Sequence, residues 1–331
     1  MERDGRAESH RFENTEALNG VVSRAEYLLQ FGRLFVCCDK VLRRLLVCAL
    51  FVNATAYAQN AKLDAAEKSV LARVEKSGAE VGIAFRMLNE NDEWYSRADE
   101  SFHAASTMKV PVLIELFHQV KEGKLKLGDT LVVKNEFHSI VDGSPYSLDA
   151  EDDSETDLYK AEGQTRSLAQ LAELMITVSS NFATNLLIEK LSVENIRATV
   201  HSLGADGMNV LRGVEDGKAF EKGLNNTATA RGLAILLTAI GEGRAVDSES
   251  SEQMAAILKR QKFNEAIPAG LPAGTPVAHK TGDITKIHHD AAIVYAKRPF
   301  VLVILVRGIA EDKEAYRLMA DITRDLYNAT N

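Results

Sequence analysis

The segment FHAASTMKVPVLIELFHQVK, residues 102–121, is where prediction of this chain's fold and chemistry begins. Apolar residues recur in it at helical spacing, which predicts a helix from near Ser106 to about Lys121, with Gly123 as its stop. Residues three apart are neighbours on a helix, so the Lys109 amine is expected beside the Ser106 hydroxyl. A neutral lysine can accept the serine proton, and burial near a second cation favours that form. The alternative is a surface serine and lysine at a helix start.

A second motif, Ser179-Ser180-Asn181, is predicted to break a helical region. The helix before this break is expected to have Thr165 as its N-terminal cap, and helical spacing resumes after the break, from Phe182 to Leu191. The Ser179 hydroxyl at such a break can pass a proton, and the Asn181 amide can hold Lys109 or a substrate amide by hydrogen bonds. The alternative is an ordinary helix cap.

The third motif, Lys280-Thr281-Gly282, is predicted to begin a strand. Glycine in a strand lets a ligand approach the backbone closely. Lys280 would provide fixed positive charge and Thr281 a hydroxyl for a substrate carboxylate, and the backbone N–H groups of Ser106 and Asp283 could form an oxyanion hole. The Asp283 carboxylate would repel anionic substrates unless its side chain points away. Together the three motifs supply a nucleophile, two amines and a hydroxyl relay, which is most of an acyl-transfer site.

In the rest of the chain after residue 58, the spacing of apolar residues predicts an α/β fold. A helix is expected over Gln59–Ser77, a hairpin of strands follows it, a second hairpin lies near the C-terminus, and a last helix closes the chain. The hairpins are expected at Glu80–Leu88 with Glu93–Arg97 and at His289–Ala296 with Phe300–Arg307, and the last helix at Glu311 to about Tyr327. Strands at both ends suggest one sheet built from both termini, with an α/β lobe at about 59–105 and 255–331 and a helical lobe at about 106–254. A cleft between the lobes is the expected place for a site.

Composition and the absence of certain motifs exclude several classes of function. The chain has 331 residues, 46% of them hydrophobic, and a formal net charge of −8, which argues against a nucleic-acid partner. We find no repeat of fixed period, which argues against a solenoid, and no Gly-x-Ser-x-Gly elbow, which argues against a classical Ser-His-Asp hydrolase. No phosphate-cradling glycine loop is present, and no cofactor is expected. His288-His289-Asp290 has poor metal-ligand spacing, and a cluster at a strand edge is preferred to a metal site. The acidic run Asp149–Asp157 is predicted to be a solvated loop.

The first part of the chain predicts export. Arg43 and Arg44 precede an apolar run at 45–52, and Ala56-Tyr57-Ala58 offers the small residues of a signal-peptidase site, so cleavage is predicted after Ala58. The run is too short for a stable membrane span, and the true start is expected near Val41 or Leu42. Domain 1–58 would be an extension and signal peptide, and 59–331 a catalytic domain that is periplasmic or secreted, free of the membrane and monomeric. All three cysteines, Cys37, Cys38 and Cys48, lie in the part to be removed.

In this order and on these elements, the three motifs resemble those of class A serine β-lactamases and the related penicillin-binding peptidases. The likeness runs from about Gln59 to the C-terminus. It implies a three-layer α-β-α sandwich with an antiparallel sheet and a helical lobe, and it needs no metal. It also implies that Ser106 is the acylated nucleophile, Lys109 its proton acceptor, and Ser179 the donor to the leaving nitrogen. Asn181, Lys280 and Thr281 would bind substrate, together with the backbone at Gly282 and Asp283.

Two departures from the family pattern matter. Ser180 stands where these enzymes usually have aspartate, a position that does not react. The loop that should carry the deacylating glutamate reads RGVEDGKAFE at 212–221, without the usual proline; Glu215 is the first candidate, Glu221 the second, and the alternative is that both are solvated carboxylates. With general-base help, worth about 10²–10⁴-fold in rate, the chain would be a β-lactam hydrolase. Without it, the chain would be a cell-wall peptidase or a slowly deacylating penicillin-binding protein.

Overall fold

The computed structural model describes residues 61–90 and 92–331, and residues 62–331 form one compact unit. The predicted signal segment, its cysteines and the cleavage after Ala58 lie outside the described residues, so export stays a prediction. Within the described ranges, no helix has both the length and the apolarity needed to cross a bilayer.

Five antiparallel strands form the main sheet. They are β1 (Glu80–Met87), β2 (Glu93–Ser96), β9 (Val277–Ile284), β10 (Ile287–Val294) and β11 (Phe300–Arg307), in the order β2-β1-β11-β10-β9. Strand β1 pairs along its length with β11, from Glu80 opposite Arg307 to Met87 opposite Phe300. The sheet is therefore built from both ends of the described chain, as predicted. Lys280 does not begin a strand, which corrects that prediction: β9 already starts at Val277, and the third motif lies inside it.

The described residues also contain three small strand pairs: β3 (Phe102–His103) with β8 (Thr227–Ala228), β4 (Thr130–Val132) with β7 (Thr165–Ser167), and β5 (Phe137–His138) with β6 (Pro145–Tyr146). The helices are α1 (61–77), α2 (Lys109–Lys121), α3 (Leu168–Thr177), α4 (Asn181–Leu191), α5 (Val193–Ser202), α6 (Gly217–Glu221), α7 (Ala230–Gly241), α8 (Ser248–Leu258) and α9 (Asp312–Thr330).

Alternation of side chains on β11 divides the core into two layers. On one face Leu302, Ile304 and Val306 pack with apolar residues of α1 and α9. On the other face Val301, Val303 and Leu305 join the larger cluster formed by α2, α3, α4, α5, α7 and α8. Because both faces of β11 are covered, its sequence is continuously apolar. The three-layer α/β class is confirmed, whereas the division into two lobes stays a prediction.

Two helix starts differ from the predictions. Thr165 does not cap α3: it belongs to β7, and Ser167 is the cap, with a capping box that involves Gln170. The first motif begins as a tighter 3₁₀ turn at Ala105–Met108, and the α-helix starts only at Lys109. The first shift follows from the pairing of Thr165 with Val132 on β4, which local spacing does not encode.

Two predicted clusters are also corrected. His288, His289 and Asp290 are buried inside β10, which lies between β11 and β9, so they are not at a strand edge. Across the residues that the structure describes, no group of histidine, cysteine and acidic side chains could hold a metal ion. In the acidic run Asp149–Asp157 most side chains face solvent as predicted, but Asp153 is only 8% exposed.

Candidate active site

Ser106 lies on the tight turn that precedes α2, at the junction of the sheet and the helices. Ala105 before it has a φ of 44°, a left-handed conformation that costs about 1–2 kcal/mol for a residue with a side chain. Lys109, the first residue of α2, is fully buried, and its Nζ lies 3.0 Å from Ser106 Oγ. The predicted pairing of these two side chains is therefore present in the geometry.

Four oxygen atoms surround Lys109 Nζ. The carbonyl oxygen of Ser179 at 2.6 Å and Oδ1 of Asn181 at 2.8 Å can only accept hydrogen bonds. The hydroxyl oxygens of Ser106 and Ser179, at 3.0 Å and 3.1 Å, can donate as well. A neutral amine has two N–H bonds and one lone pair, so the two pure acceptors take both N–H bonds and leave the lone pair facing the hydroxyls. Burial, and next the positive charge of Lys280, hold the pKa of Lys109 well below its usual value, which favours that neutral state.

The Ser179 hydroxyl lies between the two buried lysines. Its Oγ is 3.1 Å from Lys109 Nζ and 3.0 Å from Lys280 Nζ. Lys280 also donates to the carbonyl oxygen of Thr281 at 2.8 Å, and burial lowers the pKa of Lys280 to about 7. Ser179 itself has a φ of 61° at the break between α3 and α4. Such strain clusters at functional sites, where the surrounding structure enforces it.

Strand β9 approaches the Ser106 turn closely at Gly282. A methyl group on Gly282 would lie 3.0 Å from the Ser106 backbone nitrogen and 3.1 Å from that of Thr107. A side chain at this point of the strand would therefore force the strand and the turn to move apart by a few tenths of an ångström. Next to it opens a cavity of about 760 Å³, within the range of small-molecule sites. Its lining includes Ser106, Asn181, Glu215, Phe220, Asp283 and Ile284.

Of the two candidate glutamates, Glu215 hydrogen-bonds to a residue of the second motif, whereas Glu221 does not line the cavity. The Nδ2 of Asn181 donates to Glu215 Oε1 at 2.7 Å. Glu215 has a φ of 62°, and burial of its carboxyl group raises its pKa, although the residue as a whole is exposed. Glu221 is an exposed residue at the end of α6 and is not among the lining residues.

The loop that carries Glu215 is held by an amide that sequence reasoning did not single out. Asn185 on α4 accepts from the backbone N–H of Val214 at 2.7 Å and donates to its carbonyl oxygen at 3.0 Å. A side chain on Gly213 would come within 2.7 Å of Asn185 Oδ1. Tyr146 donates to the same carbonyl oxygen at 3.3 Å and packs on Phe137, so its role is support. Gly213, two residues before the candidate glutamate, was the available sequence signal.

The Asp283 carboxylate lines the cavity, where two side chains bind it. Its Oδ1 is 3.0 Å from Nδ1 of His288 and accepts from the Tyr316 hydroxyl at 3.0 Å. Burial raises the pKa of Asp283, and these two partners oppose that shift. The side chain still lines the cavity and is 36% exposed, so its charge is directed toward His288 and Tyr316 without being removed from the site.

The site brings the hydroxyls of Ser106 and Ser179 next to the buried amines of Lys109 and Lys280. This fold and site define a hydrolase of the class A serine β-lactamase and penicillin-binding-protein superfamily. A model of the beta-lactamase enzyme family matches residues 65–330. This chain therefore belongs to the beta-lactamase enzyme family.

Relatives and solved structures agree with that assignment. The chain is 27% identical to beta-lactamase Toho-1 of Escherichia coli over 276 residues, which cover 81% of this chain and 88% of that protein. It is 26% identical to a crystal structure of a beta-lactamase from Sphaerobacter thermophilus, with a TM-score of 0.67 over 80% of this chain and 95% of the other. It is also 27% identical to the structure of PBP-A, with a TM-score of 0.64 over 76% and 89% of the two chains.

Proposed function

We propose that this enzyme opens β-lactam rings through an acyl-enzyme on Ser106. Ser106 Oγ forms a bond to the lactam carbonyl carbon while its proton passes to the lone pair of Lys109 Nζ. The carbonyl C–N bond then breaks, and the ring nitrogen takes the proton of Ser179 Oγ. Ser179 recovers a proton from the neighbouring amines, which completes the transfer.

In the second step Glu215 takes a proton from a water molecule, and the resulting hydroxide attacks the acyl carbon. The ester bond to Ser106 breaks, and the proton held by Glu215 returns to the serine oxygen, which restores the free enzyme. The raised pKa of Glu215 fits a carboxylate that must accept a proton in the site. Its hydrogen bond to Asn181 keeps it beside the acylation residues.

Substrate binding uses the remaining motif residues. The Lys280 ammonium and the Thr281 hydroxyl hold the substrate carboxylate, and Asn181 contacts the acyl side chain. The backbone N–H groups of Ser106 and Asp283 stabilise the oxyanion, and loss of one such donor typically costs about 10²–10³-fold in rate.

The observation that carries this proposal is the position of Ser179 Oγ, which lies about equally far from the nitrogens of the buried Lys109 and Lys280. Lys109 is also the partner of the proposed nucleophile, Ser106. The test is hydrolysis of a chromogenic cephalosporin by residues 59–331. Sustained turnover that is abolished in Ser106→Ala, and kept in the exposed control Ser101→Ala, supports it. Turnover that survives Ser106→Ala contradicts it.

A second candidate function is a peptidase or slowly deacylating penicillin-binding protein on the same scaffold. The likeness to PBP-A favours it, since a mutant of PBP-A that is 26% identical to this chain was solved as an acyl-enzyme complex with penicillin G. A single stoichiometric burst with a stable mass adduct on Ser106, without further turnover, would support this second function.

Export through cleavage after Ala58 belongs to the same proposal, because the predicted substrates act at the cell wall. N-terminal sequencing of the processed protein tests it. A mature chain that begins at Gln59 supports export with this cleavage, and one that begins well before Gln59 contradicts it.

A further inference from the structure

A buried carboxylate lies beneath the turn that carries the second motif. Asp153 belongs to the loop between β6 and β7, and its Oδ2 accepts three hydrogen bonds. The donors are the backbone N–H of Phe182 at 2.9 Å, the Tyr159 hydroxyl at 3.0 Å and the Ser180 hydroxyl at 3.3 Å. Two of these donors belong to the start of α4. The acidic loop is therefore tied to that helix start.

These bonds hold both neighbours of Asn181. Ser180 caps α4, with its Oγ 3.2 Å from the Ala183 backbone nitrogen, and Phe182 is the second residue of the helix. The adjacent Ser179 is in a left-handed conformation, which persists only where surrounding contacts enforce it. Through this turn, Ser179 and Asn181 both present oxygen atoms to Lys109 Nζ.

We propose that Asp153 is a positioning residue of this site, which supplies from another loop the carboxylate that position 180 lacks. The proposal rests on the proposed function. Asp153 acts through Ser179 and Asn181 and contacts no reacting atom. Its Oδ2 is 3.3 Å from Ser180 Oγ, so a carboxylate built on residue 180 would extend into the same place.

Charge gives Asp153 a second effect that packing alone would not produce. Besides burial, the charged groups that act on the Lys109 amine are Lys280, Asp153 and Glu215. Lys280 lowers the pKa of Lys109, whereas the two carboxylates raise it. Removal of the Asp153 charge should therefore lower the pKa of Lys109. The acylation rate falls at low pH because Lys109 becomes protonated there. This acid limb of the pH profile should then move to lower pH.

The test compares Asp153→Asn, Ser180→Asp and the double variant by the rate of acylation with benzylpenicillin. Asp153→Asn should acylate about 10- to 100-fold more slowly, since small misplacements of reacting groups cost about that much. Ser180→Asp alone should also be slow because two buried carboxylates would face each other. The double variant should recover most of the rate and the wild-type acid limb, because one carboxylate and one amide donor then share the space.

The matched control is Asp157→Asn in the same loop, whose side chain is 82% exposed and paired with Lys160. It should acylate like the wild type. If Asp153→Asn does not fold, Tyr159→Phe removes one bond to the carboxylate and keeps the charge. That variant should acylate more slowly with an unchanged acid limb.

Two results would overturn the proposal. The first is an Asp153→Asn variant that acylates as fast as the control, or a Tyr159→Phe variant that does so where Asp153→Asn does not fold. The second is a double variant whose acylation is slowed as much as the two single effects combined. Wild-type protein that forms no adduct on Ser106 would instead remove the proposed function. Mass spectrometry of the wild type therefore separates the two failures.

Discussion

Asn181 and Glu215 are joined by a hydrogen bond of 2.7 Å from Nδ2 to Oε1. Since Oδ1 of the same amide accepts from Lys109 at 2.8 Å, the amide orientation is fixed by two partners. One side chain thus connects the proposed proton acceptor of acylation with the proposed base of deacylation. In the proposed mechanism the two half-reactions therefore depend on one structural element, the first turn of α4.

Glu215→Gln should trap the acyl-enzyme. An amide cannot take the proton of the attacking water, so kcat should fall by about 10²–10⁴-fold while acylation continues. Quenched samples examined by intact-mass spectrometry should show the adduct accumulating. Glu221→Gln is the matched control and should turn over like the wild type. Unchanged turnover in Glu215→Gln would remove Glu215 from the role of base.

Asn185→Ala should loosen the loop that carries Glu215. It leaves the N–H and carbonyl of Val214 without their amide partner, at a cost of about 1–3 kcal/mol in the free energy of unfolding. Displacement of Glu215 should slow deacylation by about 10²-fold. Thermal denaturation and single-turnover kinetics measure the two effects. The control is Asn195→Ala, which removes one amide bond to the Leu191 carbonyl oxygen away from this loop. Equal deacylation rates in both variants would argue against the loop's role.

The pH profile of kcat/KM for an anionic β-lactam should be bell-shaped. Lys109 must be neutral, so the rate falls at pH values below its lowered pKa. Lys280 must be charged, so the rate falls as pH rises through its pKa of about 7. Lys280→Arg keeps its charge at high pH and should move the alkaline limb upward. The control Lys222→Arg, on an exposed residue, should not move it. An alkaline limb that stays in place in Lys280→Arg would assign it to another group.

Gly282→Ala should push β9 away from the nucleophile turn. The added methyl group would meet two backbone nitrogens at 3.0–3.1 Å, and backbone atoms cannot rotate out of the way. We expect a loss of about 1–3 kcal/mol in the free energy of unfolding, as for other overpacked sites, and a lower acylation rate. Gly128→Ala is the control, because a methyl group there meets no atom within 4 Å. Wild-type acylation in Gly282→Ala would show that the close approach is dispensable.

Local patterns in the sequence predicted most of the helices and strands. The two hairpins and the break between α3 and α4 depend on residues close in sequence, and the structure has them within a residue or two. The errors fall where distant segments compete with local preference. Thr165 has the chemistry of a helix cap, but it pairs with β4. His288 lies in a polar triplet, but its strand is covered on both sides by neighbours in the sheet.

The sequence by itself determined the α/β class and placed Lys109 beside Ser106, because helical and strand periodicity follow from short-range geometry, whereas the place of Lys280 in the same site was implied by the family resemblance. Only the tertiary structure decided which carboxylates lie next to the motifs. Glu215 rather than Glu221 reaches Asn181, and Asp153 alone of the acidic run's aspartates is buried, beneath Ser180. A loop's position is set by hydrogen bonds to residues far away in the chain, such as those from Asn185 to Val214 and from Phe182 to Asp153. Composition and spacing within the loop carry no record of those partners.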